Sequence, residues 1–228
     1  MWLINSSIGR KVVMSVTGIC LILFLTFHCC MNVVALFSGE GYNWICEMLG
    51  ANWYAVAATM GLALLAALHI FFAFWLTMQN RKARGNERYD VTERRSEVSW
   101  ASQNMLVLGI IILIGLLIHL YDFWYNMMFA ELFPSIHYDA APADGFGKIV
   151  ATFSNPVKVV LYVIWIVAIW FHLSHGFWSA LHTLGWSGKI WQKRWQCIGL
   201  IYVTILMAMF LIVVLAFAFK LAPSLCVA

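Results

Sequence analysis

Five long stretches of the chain run almost free of charged side chains, at about residues 12–36, 53–78, 100–125, 157–182 and 197–220. A hydrocarbon layer of about 30 Å is crossed by roughly 20 helical residues, so each stretch is long enough to span it. Asp122 and Lys158 fall at stretch ends, and the ionisable groups inside are nearly all histidines. The pattern predicts an all-α membrane protein with five transmembrane helices, built as one unit over residues 1–228. The first stretch is too long for a cleavable signal peptide, and no small-residue cleavage site follows it.

Basic residues collect on alternate sides of these spans. Arg10 and Lys11 precede the first, Arg81, Lys82, Arg84, Arg88, Arg94 and Arg95 follow the second, and Lys189, Lys193 and Arg194 follow the fourth. The other connections are poor in bases: 37–52 has only Glu40 and Glu47, and 126–156 has Lys148 against Glu131, Asp139 and Asp144. Positive residues are held on the cytoplasmic side, so the N-terminus is expected inside and the C-terminus outside. Trp44, Trp53, Trp100, Trp124, Trp186, Trp191 and Trp195 lie near span ends, the usual place for an aromatic belt. Residues 126–156, with Pro134, Pro142 and Gly145, form a candidate outer cap.

Composition agrees. The 228 residues are 63% hydrophobic and 11% charged, against about 25% charged in soluble domains. A soluble globule, a disordered chain, a nucleic-acid binder and a disulfide-rich secreted domain are all excluded. The six cysteines (Cys20, Cys29, Cys30, Cys46, Cys197 and Cys226) form no C-x-x-C-H or paired C-x-x-C spacing, so covalent haem, zinc and iron–sulfur clusters are not expected.

An ionisable residue inside a membrane is a functional candidate by default. Four successive spans each carry a deep histidine: His28, His69, His119 and His172, with His175 and His182 also in the fourth and His137 in the outer loop. At 1.5 Å per residue, His28 and His119 stand ~24 and ~28 Å from the inner starts of their spans. His69 and His172, on spans running the other way, stand ~24 and ~22 Å below the outer starts. The four sort into an outer pair, His28 with His119, and an inner pair, His69 with His172. Each pair comes from non-adjacent spans, as ligands on facing helices of a four-helix bundle do. Any one such histidine can be a plain interhelical hydrogen-bonder. Two depth-matched pairs point to two b-type haems, each held by two histidines. Iron so ligated has no open position and suits electron transfer rather than oxygen binding. His175, one turn further in, competes with His172, and His182 lies near the inner surface, solvated or beside a haem propionate. Gly18 and Gly109 each precede an outer ligand by ten residues, ~15 Å along the helix, where a missing side chain admits a ring edge or allows close helix packing.

These residues resemble a known family. Ser15-Val16-Thr17-Gly18 followed by His28 is similar to S-x-T-G and a histidine in the first span of the di-haem cytochrome b membrane anchors of succinate dehydrogenases and fumarate reductases, the single-polypeptide, five-helix type. His119-Leu120-Tyr121 resembles the close of that family's third span, and His172 to Ser179 its H-x-x-x-G-x-x-S pattern, whose first histidine is the ligand. The resemblance covers residues 5–220 and implies two haem b groups in a four-helix bundle with the fifth span outside. It further implies a complex in a bacterial cytoplasmic membrane. A flavoprotein subunit there interconverts succinate and fumarate, an iron–sulfur subunit passes electrons to this anchor, and the anchor exchanges them with a quinone, menaquinone in many members. The anchor does no dicarboxylate chemistry itself. A carboxylate after the first span serves the quinone site, which makes Glu47, then Glu40, the candidates; both are also ordinary loop acids. Ser15 is a candidate haem-edge hydrogen-bonder. Arg10, Lys11, Arg81 and Lys82 are candidates for haem propionates or for docking the iron–sulfur subunit, though topology alone accounts for basic residues there. Where some members carry a glutamate two residues before the fourth-span ligand, this chain has Trp170. The rival readings are a cytochrome b subunit of a hydrogenase or formate dehydrogenase, and a haem-free transporter or scaffold.

Overall fold

The computed structural model describes residues 6–84, 100–135 and 141–226. His137, Asp139, Arg88, Arg94 and Arg95 lie outside the described residues. The described chain is helical, without strands, and five of its helices are long and apolar enough to cross a membrane. It is an all-α, multi-pass membrane protein.

The helices are α1 (Ser7–Phe37), α2 (Gly39–Met48), α3 (Trp53–Arg84), α4 (Met105–His119), α5 (Gly145–Phe153), α6 (Pro156–Thr183) and α7 (Lys189–Ala218). A turn of helix at Trp100–Gln103 leads into α4, which continues as a π-helix, Leu120–Phe129, and closes at Ala130–Leu132. Caps set several starts. Ser6 Oγ accepts from Gly9 N (2.9 Å) at α1, and Ser38 Oγ accepts from Gly41 N (2.9 Å) at α2. Asn155 Oδ1 accepts from Val157 N (2.9 Å) ahead of Pro156 at the first turn of α6, where a missing N–H costs nothing. Gly185, at φ 83°, ends α6 in a left-handed turn that a β-carbon would resist.

Several spans run beyond the apolar stretches that predict them. α7 begins at Lys189 rather than near 197, so Lys189, Lys193 and Arg194 ride exposed on its first turns instead of in a connection. Lysine, glutamine and arginine are good helix formers, and at the polar start Trp191 packs at a tilt on Trp195 (5.6 Å) and Arg194 lies over Trp191 (5.1 Å). The third span runs on to Leu132.

α1 packs on α3, α6 and α7; α6 packs on α4 and α7; α3 touches α4 lightly. Four spans therefore form a ring in the order α3, α1, α6, α4, with α7 outside against α1 and α6. α1 faces α4 across one diagonal and α3 faces α6 across the other. The main core lies among α1, α6 and α7, around Cys29, Val203, Leu206 and Ile166. Over the end opposite the N-terminus, the two connections form a helical cap, α2 on α5. Asn43 stitches it, donating to Asp144 (3.0 Å) and accepting from Phe146 N (2.7 Å), while Asp144 caps α5 through Gly147 N (2.9 Å).

Candidate functional site

The four deep histidines meet in twos across the diagonals. His28 on α1 and His119 on α4 have ring centroids 5.7 Å apart, nearly perpendicular at 83°. His69 on α3 and His172 on α6 are 6.4 Å apart at 68°. His69 also ties the second pair to α1, where Thr17 Oγ1 lies 3.2 Å from its Nδ1. Thr17 and Gly18 sit ten to eleven residues before His28 on the same helix, so the tiers are ~15 Å apart along the bundle. The His69/His172 tier lies nearer the N-terminal end and is called the near tier; His28/His119 is the far tier.

The donors fit a metal between each pair. Two metal–nitrogen bonds of about 2 Å plus the depth of two rings separate imidazole centroids by ~6 Å, which both tiers approach. In each tier one ring has a buried Nδ1 with no hydrogen-bond partner, on His119 and on His172, as does the neighbouring His175. Buried polar atoms are nearly always satisfied. The near tier is flanked by open space. Nothing lies within 4 Å of where a β-carbon would stand on Gly109, or on Gly176 one turn past His172. The remaining glycine there, Gly18, backs directly onto His69, whose Cε1 would lie 3.3 Å from its β-carbon. The far tier is lined by aromatic rings: Phe24 (5.6 Å) and Phe210 (5.9 Å) at His28, and Phe123 (5.2 Å) and Trp165 (5.4 Å) at His119. Asn32 donates to His28 O (2.8 Å), stands beside the His28 ring, and accepts from Tyr42 OH of the cap (3.2 Å).

The other candidates separate. His175 does not join a tier; it packs edge-on against Trp178 (5.0 Å), and His172 is the ring opposite His69. His182 is exposed at the end of α6, 2.5 Å from Ser187 Oγ. Ser15 is buried two residues from Thr17, at the near-tier level. Lys11, Arg81 and Lys82 are exposed. Arg10 is half-buried and engaged with α3: its guanidinium lies over Trp75 (5.5 Å), and Gln79, with its amide oxygen turned inward, accepts from Arg10 Nη1 (2.7 Å) and Trp75 Nε1 (2.8 Å). Trp170 donates to Thr204 Oγ1 (2.9 Å) and so faces α7, away from the histidines of the ring.

Glu40 and Glu47 are both exposed and line an open groove of about 430 Å³ on the cap with Asn43, Trp44, Ala143 and Asp144. On the same helix, burial pushes the Cys46 thiol up to about 11, with the proximity of Tyr42 lowering it and the carboxylates of Asp144 and Glu131 adding to the rise.

Two acids have roles that span length alone does not reveal. Glu131 Oε2 accepts from Ala51 N (2.6 Å) and holds the turn between α2 and α3 against the third span. Asp122 pairs with Lys158 (2.6 Å) and accepts from Tyr162 OH (3.1 Å) just beyond His119. The available signal was spacing by one helical turn: Asp122 follows His119 by three, and Tyr162 follows Lys158 by four.

No family model matches the chain, and no curated protein or solved structure does either.

Proposed function

We propose that this chain is the di-haem cytochrome b anchor of a succinate dehydrogenase or fumarate reductase complex in a bacterial cytoplasmic membrane. In this reading it passes electrons between an iron–sulfur subunit and a membrane quinone, menaquinone foremost. The observation that carries the proposal is the meeting of His28 with His119 and His69 with His172 across the two diagonals of the four-helix ring, at two levels.

His69 and His172 would hold one haem b and His28 and His119 the other. A haem held by two histidines supplies one-electron transfer without an open coordination site. The protein's part is to fix the imidazoles on four separate helices, so that ligation also fastens the bundle. Thr17 orients His69, and Asn32 braces the helical turn bearing His28; such neighbours set ligand basicity and ring orientation. The apolar walls keep water from the centres and hold their surroundings constant on electron uptake. The basic N-terminal end would be cytoplasmic and carry the iron–sulfur and flavoprotein partners, with Lys11, Arg81 and Lys82 free to meet an acidic face. At the other end, Glu47 or Glu40 would exchange the quinone's protons.

The test is a dithionite-reduced minus oxidised spectrum of the purified chain with haem quantification. The expected result is b-type bands at two haems per chain, with a succinate-active flavoprotein co-purifying. Absence of haem overturns the proposal. Two haems with hydrogenase or formate dehydrogenase activity instead would assign the chain to that rival complex.

A further inference from the structure

Immediately after His119 the backbone leaves α-helical winding and runs as a π-helix from Leu120 to Phe129. Such segments are uncommon and often mark functional sites, because they widen the turn and re-aim side chains. Here Asn126 braces the wide turn by donating to Tyr121 O (2.8 Å) and Asp122 O (3.4 Å). The turn delivers Asp122 to α6, where its side chain is only 8% exposed and pairs with Lys158, 30% exposed, at 2.6 Å. The second carboxylate oxygen accepts from Tyr162 OH (3.1 Å). Tyr162 is itself buried, and its ring packs edge-on against His119 at 6.2 Å. A carboxylate, an ammonium and a phenol are thus held in fixed geometry behind one histidine of the far tier.

An ion pair with one partner buried is a weak way to gain stability, since desolvation of that partner offsets much of the attraction. The placement of this one calls for another account. We infer that Asp122 and Lys158, joined to His119 through Tyr162, set the electrostatic field at the far tier and thereby the potential at which that centre accepts an electron. This inference rests on the haem reading above.

The sign follows from charge. Accepting an electron makes the centre more negative by one unit. A lone carboxylate nearby opposes that change and a lone ammonium favours it, whereas the intact pair nearly cancels. Removing either partner therefore moves the potential, in opposite directions. A unit charge some 10 Å away in a protein interior shifts a reduction equilibrium about tenfold, or about 59 mV for one electron.

The test is a redox titration of the two haems in the intact complex at fixed pH, followed in the b-type bands. Lys158→Met should lower the far-tier potential by about that amount, and Asp122→Asn should raise it. The double variant should return close to the parent, and the near-tier potential should stay put in all three. Tyr162→Phe keeps the ring and strips one hydrogen bond from the carboxylate. It should give a smaller downward shift, and it serves as the readout if a charge variant loses the far haem. Shifts of the same sign in both single variants, a shift confined to the near tier, or an unmoved far tier in Tyr162→Phe would overturn the inference while leaving the haem reading intact. A parent chain without haem overturns both.

Discussion

Gly18 and His69 meet where α1 and α3 cross: a β-carbon on Gly18 would stand 3.3 Å from His69 Cε1 and 3.7 Å from its Nδ1. The contact fixes the height of the near tier on α1. It also makes that tier depend on a residue that donates nothing to it.

Enlarging this glycine should act on one tier only. A methyl group would be absorbed by a slight shift of the ring, but Gly18→Leu must drive His69 off the diagonal toward His172. On the proposed di-haem reading, haem content should fall by roughly half, with the near-tier signal lost and the far-tier signal kept. Loss of both signals together would mean that Gly18 packs the bundle as a whole.

The pairing itself is open to single substitutions. If the proposed haems are present, His69→Ala and His172→Ala should each remove the same one, and His28→Ala and His119→Ala the other. Potentiometric and low-temperature spectra of the four variants check this. Loss of one common haem from His28→Ala and His69→Ala would show that the rings pair between the neighbouring helices α1 and α3 rather than across the diagonals.

Glu131 gives a prediction about stability. Its carboxylate takes the Ala51 N–H at 2.6 Å, and Gly50 lies so close to the carboxylate that a β-carbon there would crowd it at 2.5 Å. Glu131→Leu strands that N–H and should cost about 1–3 kcal/mol, the usual cost of leaving such a group unpaired. Apparent Tm in detergent should fall by several degrees, and protease should cut more readily around residues 49–52. An unchanged Tm would show that the turn holds without its clasp.

Cysteine chemistry offers a check on the cap. With its thiol pushed up to about 11 by burial, Cys46 stays almost wholly protonated at pH 8. Cys197, exposed near the start of α7, should react with maleimide at pH 8 long before Cys46 does. Mass spectrometry of the labelled peptides reads the order directly. Rapid labelling of Cys46 would mean that the α2–α5 cap opens.

The spans were legible because crossing a bilayer demands length and apolarity, and both are written residue by residue. The tiers were legible because counting residues along alternating helices converts sequence position to depth, which placed His28 level with His119 and His69 level with His172. What sequence could not supply was azimuth and local winding. Nothing in Leu120–Phe129 announces a π-helix, so Asp122 read as a span end rather than as the partner of Lys158. The helices α2 and α5 read as loop because each is short and bounded by polar residues. Lys189 to Arg194 read as a connection because charge ends an apolar run, although an interfacial helix tolerates it.

The ~15 Å between tiers has an electrical consequence. It is about half the thickness of a hydrocarbon core. An electron moving from one tier to the other in the proposed function crosses about half of the voltage dropped over the bilayer, which amounts to ~1 kcal/mol for every 100 mV. The rate and poise of such a protein would therefore respond to how strongly the cell is energised, with the stacking of histidines acting as its voltmeter.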